Sequence, residues 1–365
     1  MQKPTGFFHD ERCMWHGGGD YVLTVPAGGL VQPGSGLPES PETKRRLVNL
    51  LRVTGLMTQL QERTAPAATR QDLLRVHPAS YLDAFKTMSD GMGGDLGLRA
   101  PFLKGGYEIA ALSAGLAQAA LAEVLTGRAR NAYALSRPPG HHALPDFPNG
   151  FCLLANIAVA IRSARATGLA QRVAVLDWDV HHGNGTEAIF LDDPDVLTIS
   201  IHQDRNYPLD TGGADVRGAP ASNINIPLPP GAGQQTYLEA VERIVLPSLR
   251  RFAPEVIVIA CGYDASAMDP LGRMVLSADS FARMTALMMD AAGQLCAGRL
   301  VAVHEGGYSE LHVPFCGHAV VQVLAGSPTH APDPLQATID LRQPPQFLVN
   351  HLSAYLKELA EFFEV

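Results

Sequence analysis

Asp177, Asp179 and His181 are spaced two residues apart at the end of the apolar run VAVL. Alternate side chains of an extended backbone point to the same face, so all three can face one point. Asp264, which closes the segment VIVIACGYD, could add an oxygen ligand from a different strand. Asp179, His181 and Asp264 would then offer two carboxylates and one imidazole and leave a position for water, as a catalytic zinc site requires. Such a bound water loses a proton far more easily than bulk water.

Two adjacent histidines, His141 and His142, follow the turn Pro-Pro-Gly. Their side chains point in different directions, so they cannot share one role. We assign His142 as the general base that takes a proton from the water and later protonates the leaving amine. Asp177 would accept a hydrogen bond from His141 and hold it charged, whereas the neutral amide of Asn184 would leave His142 less basic. Environments that separate two pKa values in this way distinguish acid from base.

Tyr308 follows Glu305-Gly306-Gly307, at what looks like the end of another strand. Its phenol could donate a hydrogen bond to the developing oxyanion, opposite the metal. Each of these motifs also has a purely structural explanation. DWDVHHGNG could be a polar corner, Asp264 could cap a helix, and Tyr308 could pack on the core after a turn. Their joint occurrence favours one catalytic site.

Short apolar runs alternate with longer segments of helical period, which predicts repeated βα units on a parallel sheet. The predicted strands are 131–136, 172–176, 196–201, 256–260 and 300–303, and their nearly continuous apolar character suits strands covered on both faces. The predicted helices are 41–51, 106–125, 151–167, 235–252, 278–292 and 347–363. Reactive residues follow all five strands, and ligands of open α/β sheets bind outside the carboxyl ends of strands. We therefore expect these residues to converge at one edge of the sheet.

The chain has 365 residues, 46% of them hydrophobic and 18% charged, which predicts one domain over 1–365 with a long loop at 27–41. The formal net charge of −8 and the absence of a long basic block argue against a nucleic-acid partner. Lys44-Arg45-Arg46 is interpreted as a solvated helix face. No segment is expected to span a membrane or act as a secretory signal. Five cysteines without CxxC spacing are interpreted as buried or free thiols of a cytoplasmic protein.

Five segments closely resemble the motifs of the histone deacetylase superfamily, in that family's order: RPPGHHALPDFPNGFC, VLDWDVHHGNG, ISIHQ, GYDASAMDPLG and EGGYS. The resemblance covers about residues 42–321. It is nearest to class II enzymes and to the bacterial histone deacetylase-like amidohydrolases, with acetylpolyamine amidohydrolases as relatives. It implies a three-layer α/β/α arginase–deacetylase fold around a central, mainly parallel, eight-stranded sheet.

By motif matching, the resemblance implies zinc at Asp179, His181 and Asp264, with the catalytic roles at the histidine pair and Tyr308. It also implies a structural K⁺ ion held by Asp177, Asp179, His181, Ser200 and the carbonyl of Ile201. A second K⁺ site would use carbonyls near Phe190, Asp193 and Val196. The acyl-lysine tunnel would be lined by Gly150, Phe151, Tyr207, Leu271 and Gly306, with His202 nearby.

The chain departs from the family at several positions. Tyr207 stands where many relatives carry Phe, which adds a hydroxyl to the tunnel wall. Asn184 replaces the acid of class I enzymes, as is typical of class II. The segment 210–222 is short, so the rim of the tunnel is expected to differ there.

Two other functions share parts of this pattern. An arginase-type ureohydrolase binds two manganese ions, but the residue two after Asp264 is Ser266, so a second metal lacks a carboxylate ligand. A catalytically silent acyl-lysine binding module would have lost Tyr308, His142 or a zinc ligand, and all of these are present.

The substrate of the deacetylase stays open between acetylated lysine in a peptide and an acetylated small amine. Polyamine-selective relatives carry an acidic residue at the rim, and neither Asp204 nor Asp210 is in a convincingly equivalent position. The native metal, Zn²⁺ or Fe²⁺, is also open. A homo-oligomer, as a dimer or tetramer, is expected from the resemblance alone.

Overall fold

The computed structural model describes residues 3–32, 36–219 and 221–365, and eight parallel strands form its central sheet. The strands of the chain are β1 (Gly6–Phe8), β2 (Tyr21–Val22), β3 (Val25–Pro26), β4 (Gln61–Arg63), β5 (Gly93–Asp95), β6 (Pro101–Leu103), β7 (Ala132–Ala134), β8 (Val173–Asp177), β9 (Val196–Gln203), β10 (Asn223–Leu228), β11 (Val256–Cys261) and β12 (Leu300–His304). The order across the sheet is β10-β9-β8-β11-β12-β7-β1-β4. β2–β3 and β5–β6 form two small antiparallel ribbons.

The four central strands β8, β11, β12 and β7 are buried along their whole length, as their apolar sequences predict. The edge strand β4 has the polar sequence QER and is half-buried to exposed, which leaves little apolar edge open to pairing. All five predicted strands are confirmed within two residues at each end. The short strands β1 and β4 and the strand β10 were not predicted.

Helices flank the sheet in the expected alternation. They are α1 (Pro41–Val53), α2 (Arg70–Leu73), α3 (Ala79–Asp90), α4 (Gly106–Leu125), α5 (Asn156–Ala166), α6 (Asn184–Phe190), α7 (Gln234–Ala240), α8 (Leu246–Phe252), α9 (Ala278–Leu295), α10 (Val313–Ala325), α11 (Gln336–Leu341) and α12 (Gln346–Phe363). Short 3-10 turns lie at Glu11–Trp15 and Leu56–Gln59. The ends of the helices follow local chemistry: Ser40 caps α1 with Pro41 in its first turn, and Ser277 and Ser280 form a capping box on α9.

Two predicted helices differ from the structure. The segment predicted as a helix from Phe151 is helical only from Asn156, because Gly150 and Phe151 have positive φ angles of 48° and 67°. Both residues line a cavity, so this backbone conformation serves the site rather than the helix. The predicted helix 235–252 is interrupted by a π-helical turn at Val241–Val245 between α7 and α8.

Helix α4 contacts β1, β7 and β12 and is the most apolar of the long helices. It is long and apolar enough to cross a membrane. No such segment was expected from the sequence. In the structure, 61% of its apolar window is buried within the protein. A helix in the core of a large domain can have the same length and apolar composition.

The five cysteines are all free and buried, as predicted. They lie in different parts of the fold, on the strand β11, the helix α10 and three loops or turns. Burial raises the pKa of the Cys261 thiol on β11 well above its ordinary value.

A buried ion network ties the N-terminal segment to the sheet. The carboxylate of Glu39 accepts hydrogen bonds from the Arg137 guanidinium at 3.1 Å and from the Lys44 ammonium at 2.9 Å. Burial alone would raise the pKa of Glu39, but the two cations hold it well below its usual range. Arg137 also donates to the carbonyl oxygens of Cys13 and His16, both at 2.9 Å. The interpretation of Lys44 as a solvated residue is therefore wrong, because this pairing takes it inside.

Replacing Glu39 by Gln should destabilise the protein by about 3 kcal/mol, because Arg137 and Lys44 would stay buried without a counter-charge. The measurement is urea unfolding followed by circular dichroism. Glu42→Gln is the matched control, since Glu42 pairs with Arg45 on the exposed side of α1. That change should cost less than about 1 kcal/mol. Equal effects of the two substitutions would contradict the role given to the network.

Candidate active site

The predicted site residues follow four strands that are neighbours in the sheet. Asp177, Asp179 and His181 come at the end of β8, Asp264 after β11, Tyr308 after β12 and the histidine pair after β7. Their carboxyl ends meet at one edge, so the convergence expected from the sequence is observed. The register places Asp177 opposite Ala260 of β11 and Ser200 of β9.

Asp179, His181 and Asp264 form a buried cluster whose ligand atoms lie within 4.8 Å of one another. Nδ1 of His181 is 3.1 Å from Oδ1 of Asp179 and 3.1 Å from Oδ2 of Asp264. The remaining carboxylate oxygens face backbone donors. Gly306 N–H donates to Asp179 Oδ2 at 2.8 Å, and Val180 N–H donates to Asp264 Oδ1 at 2.7 Å. Each carboxylate is therefore held in place by the backbone of another loop or strand end.

Two glycines leave the space that this cluster needs. A Cβ atom added at Gly306 would lie 2.2 Å from Oδ2 of Asp264 and 2.6 Å from Oδ2 of Asp179. A Cβ atom at Gly262 would lie 2.1 Å from Oδ2 of Asp179. All three distances are far shorter than a van der Waals contact, so neither position accepts a side chain without moving a carboxylate.

The electrostatics of the cluster call for a cation. Burial opposes charge on His181, but the negative charge of Asp264 and hydrogen bonds to both carboxylates raise its pKa to about 10. Burial and the charge of Asp179 in turn raise the pKa of Asp264 to about 8. A hydrogen on Nδ1 of His181 would lie between these two carboxylate oxygens, each 3.1 Å from the nitrogen. Two oxygens and one imidazole nitrogen around that point fit a divalent cation, which would replace the proton.

The histidine pair has the partners expected from the sequence. Nδ1 of His141 is 2.9 Å from Oδ2 of Asp177, and Nδ1 of His142 is 2.8 Å from Oδ1 of Asn184. The two ring centroids are 4.0 Å apart. Burial opposes charge on His141, but Asp179 and Asp177 raise its pKa well above the ordinary value. Burial and the positive charge of His141 lower the pKa of His142 well below it.

Tyr308 and the expected tunnel residues surround a cavity of about 160 Å³ next to this cluster. Gly150, Phe151, Tyr207 and Leu271 line it together with His142 and His181, as the resemblance implies. Gly306 does not line it and instead contacts the carboxylate cluster. The cavity also includes three residues that sequence reasoning missed, Thr24, Arg99 and Asn206.

The Tyr308 phenol is suited to donate a hydrogen bond. Burial, followed by the negative charges of Asp264 and Asp179, raises its pKa well above the ordinary value, so the phenol keeps its proton. The ring of Tyr308 lies 5.7 Å from that of Phe151 and 6.3 Å from that of His181, measured between centroids. The added hydroxyl of Tyr207 donates to the side chain of Asn149.

Two buried carboxyl groups that hold the site were not assigned a role from the sequence. Oε2 of Glu305 accepts hydrogen bonds from the backbone N–H groups of Gly140 and His141, at 2.6 and 3.0 Å. Burial raises its pKa to about 7. Asp269 accepts from the backbone of Tyr308 at 2.7 Å and of Leu271 at 2.8 Å. The sequence signal that could have identified these two carboxyl groups was their position inside the motifs EGGY and MDPLG.

The residues implied for K⁺ are placed as follows. Ser200 lies beside Asp177 across the β8–β9 ladder, and its hydroxyl is 2.9 Å from Nδ1 of the buried His202. Phe190, Asp193 and Val196 form a turn in which Asp193 N–H donates to Phe190 O at 2.9 Å. The carboxylate of Asp193 pairs with Arg162 and Arg165. Both cation sites stay predictions.

A second cluster of ligand-type residues consists of His141, Cys152 and Glu305. Burial raises the pKa of the Cys152 thiol well above its ordinary value, so the group is a neutral thiol and a poor metal ligand. The backbone carbonyl of Ser266 accepts a hydrogen bond from Asp269 N–H at 3.1 Å, and its side chain adds no carboxylate to the first cluster. Within the described ranges, this second cluster shares no residue with the Asp179–His181–Asp264 cluster.

Gly306→Ala should weaken metal retention by roughly ten- to a hundredfold, because the new methyl group would displace two carboxylates. Metal content after dialysis against a chelator is the measurement, with circular dichroism to verify the fold. Gly293→Ala is the control, since a Cβ atom there meets nothing within 4 Å. Unchanged retention in Gly306→Ala would show that the cluster does not hold the metal.

Comparisons with known proteins identify the family of this chain. Residues 37–324 match the family model of the histone deacetylase domain. The histone deacetylase-like amidohydrolase of Pseudomonas aeruginosa is 56% identical over 368 residues, which cover 100% of this chain and 97% of that protein. The probable deacetylase of Archaeoglobus fulgidus is 37% identical over 79% of this chain and 82% of its own length. The crystal structure of the HDA15 HD domain superimposes with a TM-score of 0.81 at 32% identity, covering 100% of this chain and 98% of that one.

Proposed function

This chain belongs to the histone deacetylase family, and we propose that it uses one zinc ion to hydrolyse the acetyl amide of N-acetyl-lysine in a peptide or of an acetylated small amine. The proposal rests above all on one observation. His142, His181 and Tyr308 line one cavity, with His181 belonging to the buried Asp–His–Asp cluster and His142 lying beside His141, whose pKa is shifted in the opposite direction. Acetate and a free amine would be the products.

The cavity supports a tunnel for a lysine side chain. Phe151 and Tyr207 give it aromatic walls, and Leu271 adds an apolar contact. Such walls exclude water from a chain of methylene groups while leaving the amide at the inner end. A bound divalent cation would polarise the amide carbonyl and make a water molecule more acidic.

The proton transfers follow from the hydrogen bonds of the histidine pair. The carbonyl oxygen of Asn184 can only accept, so Nδ1 of His142 carries a hydrogen and Nε2 keeps its lone pair. Nε2 takes a proton from the attacking water and later delivers it to the leaving nitrogen. His141, hydrogen-bonded to Asp177, stays charged and stabilises the negative charge that develops. The Tyr308 hydroxyl donates to the carbonyl oxygen as it becomes an oxyanion.

Tyr308→Phe should lower kcat by roughly a hundredfold, because one oxyanion donor is lost while the metal ligands are untouched. Acetate release from an acetyl-lysine peptide is measured alongside zinc content. Tyr355→Phe is the control, since the Tyr355 hydroxyl binds the carbonyl of Pro227 away from the site. Wild-type turnover in Tyr308→Phe would remove the phenol from the mechanism.

His142→Ala should lower kcat by at least a hundredfold with zinc still bound. In the wild type, the base acts when neutral, so activity is lost as the pH falls through the pKa of His142. Because that pKa lies below its ordinary value of 6.5, the acid limb of kcat/KM should lie below pH 6.5. An acid limb above pH 7, or a wild-type profile in His142→Ala, would reassign the base.

The remaining properties are proposed from the family. We expect structural K⁺ at the two implied sites, a homodimer or homotetramer, and a cytoplasmic location. Metal analysis for zinc, iron and potassium, and the molecular mass in solution, test the first two. Turnover of an acetyl-lysine peptide, acetylputrescine and acetylspermidine by the zinc-loaded chain compares the substrate classes directly.

A further inference from the structure

Arg99 is the permanently charged side chain among the residues that line the active-site cavity. Its guanidinium carbon lies 5.5 Å from the ring centroid of Tyr207, in a cation–π contact. The Tyr207 ring in turn lies 5.0 Å from that of His142 and 6.1 Å from that of His181. Arg99 is partly exposed, whereas the two histidines are buried. It therefore sits on the outer side of Tyr207, at the mouth of the cavity.

The position of Arg99 is fixed by the tunnel wall itself. Its backbone carbonyl accepts a hydrogen bond from Phe151 N–H at 2.8 Å, and the carbonyl of Leu98 accepts one from Gly150 N–H at 3.0 Å. Arg99 adopts a left-handed conformation with φ of 57°. A bulky residue is uncommon in this region, so the loop places the side chain here at some conformational cost.

The charge of Arg99 has no carboxylate partner in the described part of the chain. Asp95, the acid of the same loop, accepts hydrogen bonds from the backbone of Gly97 and Ala100, at 3.0 and 3.2 Å. Asp204 and Asp210 are exposed and do not line the cavity. The cation–π contact with Tyr207 uses none of the guanidinium N–H groups as a hydrogen-bond donor to a carboxylate, so these groups can serve another acceptor.

We propose that Arg99 is a specificity-determining residue that pairs with a carboxylate adjacent to the acetyl-lysine of the substrate. The inference rests on the proposed function and narrows its substrate class to acetyl-lysine in an acidic sequence context. A guanidinium pairs with carboxylates by short, charge-assisted hydrogen bonds. The same charge repels the ammonium groups of acetylpolyamines and of lysine-rich peptides.

The net charge of −8 acts in the opposite direction, since it attracts cations at long range. Exposed charges are screened beyond about 8 Å at physiological ionic strength. A substrate residue at the cavity mouth therefore responds to Arg99 more than to the distant acidic surface. The preference among substrates should therefore follow the charge of Arg99 and not the net charge of the protein.

The test uses the zinc-loaded full chain and three peptides that differ only in the residue next to acetyl-lysine: Glu, Gln or Lys. We expect KM to rise in that order, by about two- to fivefold per step at low salt, the range of an exposed ion pair. kcat should stay nearly constant, because the contact is made equally in the ground and transition states. The preference should shrink at high salt. Kd values of the same peptides are measured by fluorescence anisotropy.

Arg99→Gln should give equal KM and Kd values for the three peptides, with unchanged zinc content. Arg205→Gln is the matched control, because Arg205 also has a left-handed φ, of 49°, and lies on the neighbouring loop outside the cavity. That variant should keep the preference for Glu. Arg99→Lys, which retains the charge, should restore part of it.

Equal KM and Kd values for the three peptides in the wild type would overturn the proposal. The same holds if Arg99→Gln keeps the preference for Glu. Absence of turnover with every peptide would contradict the proposed function alone, since the Kd values of the three peptides still test Arg99.

Discussion

The active site depends on the burial of two carboxylates close to each other and away from water. Asp179 and Asp264 are fully buried, and each is close enough to His181 to share its proton. Two carboxylates at this depth require a positive charge between them, because burial of an unpaired charge costs several kcal/mol. The surrounding structure stabilises the two carboxylates with backbone N–H donors. It also places glycines beside them, where a larger side chain would collide. Such a set of buried ligand groups fits the divalent cation proposed for this site.

The parallel sheet makes this gathering possible. Four neighbouring strands are each apolar and buried along their length, and their carboxyl ends lie at the same edge of the sheet. Hydrophobic burial fixes the strands, and this in turn fixes where each following loop begins. The sequence pattern therefore predicted the five strands, the convergence of their ends and the partners of both histidines. Each of these depends on local periodicity and on the residue that follows a strand.

Features that depend on the tertiary environment were not predictable in the same way. Phe151 was predicted to begin a helix, but Gly150 and Phe151 both adopt left-handed conformations where they line the cavity. Lys44 lies in a basic run, yet Glu39 draws it into the interior. Glu305 and Asp269 act through backbone N–H groups, and such contacts leave no periodic signal. Arg99 belongs to a loop whose path past the cavity is set by contacts distant in sequence.

Asp269 connects two parts of the site through its two carboxylate oxygens. One carboxylate oxygen accepts from the backbone of Leu271 on the tunnel wall, and the other accepts from the backbone of Tyr308. In the proposed reaction, a bulkier acyl group that pushed Leu271 outward would, through Asp269, also move the Tyr308 phenol away from the substrate carbonyl. Under that mechanism Asp269 couples acyl size to rate, so a longer acyl group would be bound in the cavity but hydrolysed slowly.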